Sequence, residues 1–275
     1  MSTLLSDVEW GDVVSDDDGV LVIRGEVGDL PVVVKRFADT PHRREVDTYA
    51  LLGELGVPTL PVLGSGPDWL ILEDLVSAGY RQGTEADLSD PRVARLIAHW
   101  YDALHAAGDT VPAKAIDYSE FDLIDPDALA AVARRWPDLL PFTEWATRQL
   151  PAWRDTMGSL PSTLTYNDFA ATNLAVFWDG SSALMFDYNL TGMGLRASDL
   201  RNVSALLTPE ASEAFDSEYR ELAQRRGVDL PGEAERLDEA TSHLVALILA
   251  VESEETPAWA EPSLAWARSS TADDA

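Results

Sequence analysis

Apolar and polar positions are distributed differently in two parts of the chain. Residues 20–24 (VLVIR) and 30–37 (LPVVVKRF) are β-branched runs joined across GEVGD, a glycine-containing hairpin sequence, and they predict two antiparallel strands. Over residues 41–55 the apolar positions Val46, Tyr49, Ala50 and Leu52 recur at helical spacing, and Gly56-Val57-Pro58 stops that helix. Residues 60–63 and 69–72 (WLIL), separated by GSGPD, predict two further short strands, so the first 76 residues run β, β, α, β, β. Beyond them the period changes. Residues 90–107 and 125–148 have the pattern of amphipathic helices, the first with Asp90 as an acidic N-cap before Pro91. Strands at 174–178 and 183–186 flank Asp179-Gly180, a two-residue hairpin turn sequence. Helices resume over 199–207, 209–226 and 232–255, and the polar end from Arg268 (RSSTADDA) predicts a frayed tail. Trp100 and Trp178 are expected in the core, and His105 at a packed helix end.

Composition narrows the class of protein. A chain of 275 residues with 46% apolar content can bury a sizeable core as one large domain or two unequal lobes. The acidic start carries no basic, apolar leader, and the longest apolar run, 244–251, falls short of the roughly 20 residues of a membrane span, so a soluble cytoplasmic protein is expected. The absence of cysteine excludes thiolate chemistry and Cys-ligated zinc, and the four histidines lack metal-ligand spacing. With 48 acidic against 20 basic residues the net charge is −28, which disfavours nucleic acid and anionic membranes and favours cationic partners.

Against this background one constellation stands out: LTYNDFAATN (164–173), then a hairpin, then Asp187 in MFDYN. The mean position of Asn173 and Asp187 is Gly180, so a hairpin in near-ideal register places them roughly opposite one another at its open end. One Asp and one Asn suit Mg²⁺, which takes few protein oxygens and completes its shell with phosphate and water. Asp168, five residues before Asn173, can face the same place without being a ligand, free to orient a hydroxyl and accept its proton. Only Lys35 and Lys114 are lysines; the other basic residues are arginine.

An Asp, an Asn five residues on, a hairpin and a further Asp resemble the catalytic loop and metal-binding Asp of the protein-kinase-like fold. Lys35 at the end of VVVK and Glu45 in the following helix resemble that fold's phosphate-pairing Lys and its ion-pair partner. More narrowly, RREVDTYALLGELGVPTLPVLG, the WYDALHA helix, NDF-x-x-x-N and FDYN resemble the aminoglycoside phosphotransferase family, which includes choline-kinase-like small-molecule kinases, over about residues 10–255. Where that family usually has His-Gly-Asp this chain has Tyr166-Asn167-Asp168, and no glycine-rich loop precedes Lys35, only Asp16-Asp17-Asp18-Gly19 and GEVGD.

The resemblance implies an α+β, two-lobed fold: a nucleotide-binding lobe over 1–76 with a small antiparallel sheet and one helix, a larger, mainly helical lobe over 77–267, and a disordered tail over 268–275. It implies ATP, with GTP as an alternative, and Mg²⁺. Lys35 and Glu45 would serve the phosphates, the backbone of Glu73, Asp74 and Leu75 the adenine, Asn173 and Asp187 the metal, and Asp168 the acceptor hydroxyl. Asp199 would be either a brace for the substrate-side loop or a helix N-cap. The expected acceptor is a small, cationic molecule such as an aminoglycoside-like antibiotic, which would make the chain an antibiotic-resistance enzyme; the alternatives are a metabolite kinase acting on an amino alcohol, sugar or nucleoside, and a kinase-fold module that binds nucleotide without transfer.

Overall fold

The computed structural model describes residues 4–17, 19–112 and 114–273. In chain order its elements are strands β1 (Glu9–Asp17), β2 (Val20–Val27) and β3 (Leu30–Phe37), helix α1 (Thr40–Leu55), strands β4 (Val62–Gly66), β5 (Trp69–Glu73) and β6 (Tyr80–Gln82), and helices α2 (Pro91–Gly108), α3 (Pro126–Arg135) and α4 (Leu140–Ser159). Then come β7 (Thr163–Thr165), β8 (Leu174–Phe177), β9 (Ala183–Met185) and β10 (Gly192–Gly194), followed by helices α5 (Arg196–Leu206), α6 (Pro209–Arg225), α7 (Gly232–Leu249) and α8 (Glu261–Asp273). The class is α+β, as the resemblance implies.

The chain divides into two compact units, the first made of residues 1–111, 164–191 and 199–229. Its antiparallel sheet has the order β1-β2-β3-β5-β4. The expected hairpin pairs Val27 with Leu30 across Gly28-Asp29. Strand β1 was not foreseen, because all of its residues are exposed and the sequence therefore shows no buried alternation. On α1 the buried positions Glu45, Thr48, Tyr49 and Leu52 form one helical stripe. Asp39 caps the helix start by accepting from His42 N–H, and Gly56 ends it at φ 74°, a conformation that favours glycine. Asp90 caps α2 as expected, its carboxylate accepting from Arg92 N–H at 2.8 Å. Helix α2 packs on α6, with Tyr101 edge-on to Phe215 at 6.2 Å.

The β8–β9 hairpin is one residue out of the expected register. Leu174 pairs with Met185 and Phe186 N–H donates to the Asn173 carbonyl, so Asn173 faces Phe186 and Asp187 lies one residue beyond. The ladder closes at Phe177 and Ser182, leaving residues 178–181 as the loop, with Gly180 N–H bonded to Phe177. Trp178 on this loop is 58% exposed, not a core residue, because it lies past the last rung.

The second unit comprises residues 112–163, 192–198 and 230–275. Its core gathers Leu129 and Val132 of α3, Phe142, Ala146 and Leu150 of α4, Leu244 and Leu247 of α7, and Leu264 and Ala267 of α8. The single helix expected over 125–148 is two: α3 stops at Arg135 before Pro137, whose ring cannot continue it, and α4 runs on to Ser159. The expected frayed tail is instead the end of α8, continuing to Asp273. Leu264 and Ala267 bury that helix, Trp266 stacks on His243, and Arg268 donates to Asp138 at 2.7 Å.

Candidate active site

The site lies within the first unit. Lys35 stands on β3, between β2 and β5, on a strand whose neighbours Val32 and Val34 are buried in the sheet's core. Glu45 occupies the buried stripe of α1 and is 1% exposed. A carboxylate in such a place needs a partner, and Lys35 supplies it: Nζ lies 2.8 Å from Oε1 and 2.9 Å from Oε2 of Glu45. The same Nζ is 2.8 Å from Oδ1 of Asp187, 152 residues further along the chain. Burial works against the Lys35 charge, but the Glu45 and Asp187 carboxylates outweigh it and hold the ammonium above its ordinary pKa.

Asp168 and Asn173 form the second half. Asn173 Nδ2 donates to Asp168 Oδ2 at 2.9 Å and to the Asp168 carbonyl at 3.1 Å. Burial, followed by the charge of Asp187, pushes Asp168 up to about 6; the Asn173 hydrogen bond and the Lys35 charge oppose the shift. A carboxylate so placed can take up a proton near neutral pH. Since the Asn173 amide nitrogen is committed to Asp168, its oxygen is the end left to face a ligand. Asp187 likewise gives one oxygen to Lys35 and retains the other, with its side chain 35% exposed. One carboxylate and one amide oxygen fit Mg²⁺, which shares its shell with phosphates; among the described residues no three His, Asp or Glu side chains form a metal cage of their own.

The stretch from Glu73 to Leu75 ends β5 and turns away. Val32 pairs with Glu73 and Lys35 with Leu70, so Glu73 stands three residues along the strand from the Lys35 rung, about 10 Å at a strand's rise. Within it, Glu73 and Asp74 N–H donate to Pro61 and Pro31, while the Asp74 and Leu75 carbonyls accept from Ala78 and Tyr80. The Leu75 N–H takes no part in these turn bonds.

Asp199 is no N-cap. It sits in the first turn of α5, fully buried, and its carboxylate accepts from the backbone N–H groups of Tyr166, at 3.0 Å, and Asn167, at 2.9 Å. His105 lies beneath it, Nε2 3.0 Å from Asp199 and Nδ1 2.6 Å from the Tyr219 hydroxyl, so this histidine is a buried packing residue as expected.

Sequence reasoning placed Trp100 in the core, as observed, but missed the tyrosines that join it in an aromatic bed beneath the site. Tyr49, Trp100, Tyr101, Tyr166 and Tyr188 are all buried; Tyr49 meets Tyr188 edge-on at 4.6 Å, and Tyr166 meets Trp100 at 5.6 Å. Tyr188 N–H also lies 3.4 Å from Glu45. The available clue was the placing of tyrosines near the acidic residues, in TYND, in FDYN and four residues after Glu45.

Residues 14–239 match the family model described as the phosphotransferase enzyme family. No curated protein matches the chain by sequence. Several solved structures share the fold. A choline/ethanolamine kinase family protein from Mesorhizobium loti superposes with a TM-score of 0.64 at 15% identity, covering 94% of this chain and 87% of its own. A macrolide 2'-phosphotransferase from Brachybacterium faecium gives 0.59 at 18%, covering 96% and 92%. An ethanolamine kinase from Plasmodium vivax gives 0.61 at 10%, covering 97% and 83%. At such identities the likeness is one of fold, the kinase-like fold of small-molecule phosphotransferases.

Proposed function

From the premise that this chain belongs to the phosphotransferase enzyme family, we propose that it moves the γ-phosphoryl group of ATP to a hydroxyl of a small, cationic molecule such as an aminoglycoside-like antibiotic. The observation that carries the reading is the joining of Lys35, Glu45 and Asp187 through one ammonium, next to an Asp168 raised toward neutrality. A related fold solved with ADP and spectinomycin supports nucleotide use. GTP remains an alternative donor for the same contacts.

In this reading Lys35, fixed by Glu45, meets the α- and β-phosphates, and the backbone about Glu73, Asp74 and Leu75 receives the base, with the Leu75 N–H as donor. Asn173 and Asp187 would hold Mg²⁺, which when bound would supply charge neutralisation at the phosphate oxygens. Asp168 aligns the acceptor hydroxyl. As the new oxygen–phosphorus bond forms and the bond from the γ-phosphorus to its bridging oxygen breaks, Asp168 takes the hydroxyl proton. Little covalent work falls to the protein, so positioning and electrostatics supply the rate.

Amino alcohols are the second acceptor class, favoured by the likeness to choline and ethanolamine kinases. Both classes are cationic, in keeping with a net charge of −28. The test is transfer from radiolabelled Mg·ATP to a panel of aminoglycosides, macrolides, amino alcohols, sugars and nucleosides, with Asp168→Asn in parallel. Transfer to one class, lost in the variant, supports the reading. Millimolar ATP that does not bind at all would refute it, whereas binding without transfer to any acceptor would favour the nucleotide-binding module.

A further inference from the structure

The two non-glycine residues with positive φ among those described, Asn167 and Asp187, both at 67°, stand on two segments that are tied together by side chains. The Tyr166 hydroxyl donates to the carbonyl of Phe186, the residue just before Asp187. Asn167 Nδ2 donates at 2.9 Å to the carbonyl of Leu190, three residues after it. The Phe186 N–H is held as well, by the Asn173 carbonyl at 3.0 Å, and Thr191 N–H closes the turn onto Tyr188. Asp187 is thus suspended between two anchored carbonyls, both gripped by the dipeptide that precedes Asp168. The backbone of that dipeptide is fixed in turn by the Asp199 carboxylate.

We infer that Tyr166 and Asn167 are positioning residues, a clasp that sets the placement of Asp187 relative to Asp168; the inference rests on the kinase reading above. Each residue type suits its task. The left-handed conformation at 167 is one that asparagine tolerates better than most side chains, and its amide adds a bond that a glycine there could not make. At 166 the phenol spans the gap to Phe186, with its ring fully buried and braced edge-on by Trp100 and by Tyr188, at 5.9 Å. The clasp acts through Asp187 and touches no reacting atom.

The experiment compares the full chain with Tyr166→Phe, which removes only the hydroxyl, and Asn167→Gly, which removes the side chain at a left-handed position that glycine readily adopts. Four readouts are taken: Mn²⁺ affinity of the ADP-bound protein by electron paramagnetic resonance, basal ATP turnover, metal-free ADP affinity and Tm. Tyr166→Phe should weaken Mn²⁺ binding and lower kcat by about 10-fold or more, the range for losing a partner that orients a metal ligand, with the metal-free ADP affinity within about twofold of wild type. Asn167→Gly should shift both in the same direction by a smaller factor. A fall in Tm with Mn²⁺ affinity and kcat unchanged would reduce both residues to packing and overturn the clasp. If the wild type bound no Mn²⁺–ADP, the kinase reading would fall and the clasp with it; if it bound and the variants matched it, the clasp alone would fall.

Discussion

Asp87 and Asp168 are both drawn out of water in the same unit, and their surroundings treat them in opposite ways. Asp87, 5% exposed, is gripped by Arg81 through both guanidinium nitrogens at 2.7 Å and by Thr84 through its N–H and hydroxyl, and this lowers it to about 2. Asp168 has one amide donor, Asn173, and Asp187 as a like-charged neighbour, and it rises to about 6. The first arrangement gives the carboxylate four donors, two of them from a charged guanidinium. The second leaves a carboxylate with one side-chain donor among the described residues, in keeping with the base proposed above. The difference separates a fastening from a reactive group more sharply than burial does.

The largest test of this contrast is the pair of isosteric replacements. Asp168→Asn should lower phosphoryl transfer by about 100-fold or more, within or above the usual contribution of general-base catalysis, whereas Asp87→Asn should leave kcat within about twofold while costing stability. Coupled-assay turnover and urea unfolding on the same preparations check both. Comparable kinetic losses in the two variants would erase the distinction.

The next effect is one of stability. Glu45→Gln keeps the shape of α1 but leaves Lys35 with Asp187 as its one carboxylate partner among those described, and disturbing a buried pair in this way should cost about 3 kcal/mol in urea unfolding. A cost below about 0.5 kcal/mol would show that Asp187 alone satisfies the ammonium.

The pH dependence follows with opposite signs. For Asp168, with a folded value of about 6 against an ordinary 3.8, the folded state binds the extra proton, so stability is lost as pH rises from about 4 to about 6, by about 2–3 kcal/mol. The same deprotonation switches on the base, so kcat/KM should rise through pH 6 and lose that limb in Asp168→Asn. For Asp87, at about 2 against 3.8, stability is present above pH 4 and lost as pH falls toward 2, by about 2 kcal/mol. Denaturant titrations of wild type and each Asn variant across pH 2–8 isolate the two contributions by difference. A common sign would contradict the structure.

The five residues that the structure brings together, Lys35, Glu45, Asp168, Asn173 and Asp187, were picked out by their order along the chain and by a resemblance, whereas the hydrophobic pattern of α1 leaves Glu45 unmarked. What escaped was carried by geometry that the pattern does not encode. The tie from Tyr166 to Phe186 joins a side chain to a carbonyl twenty residues away, and the identity of a carbonyl's owner has no bearing on its chemistry. The hairpin missed its register by one because a centre at Gly180 and one between Asp179 and Gly180 look alike in sequence. Strand β1 was lost because an exposed edge strand has no buried face to announce it. Pro137, by contrast, was a readable break overlooked in favour of the amphipathic period on either side.

The smallest expected effects lie in the second unit, whose acidic residues are candidates for meeting a cationic acceptor. Asp125 caps α3, accepting from Ala128 N–H at 2.8 Å, and so belongs with Asp87 as a fastening. Asp122, Asp127, Glu252, Glu254 and Glu255 are exposed. Single replacements by Asn or Gln at these five should change stability by no more than about 0.5 kcal/mol, as for surface positions generally. Kinetics then discriminate among them: a residue that meets a cationic acceptor loses binding common to ground and transition states, so KM for the acceptor rises at unchanged kcat, while a residue serving solubility alone changes neither. If all five left KM unchanged at low ionic strength, where exposed charges act most strongly, the acidity of this unit would have no part in choosing the acceptor.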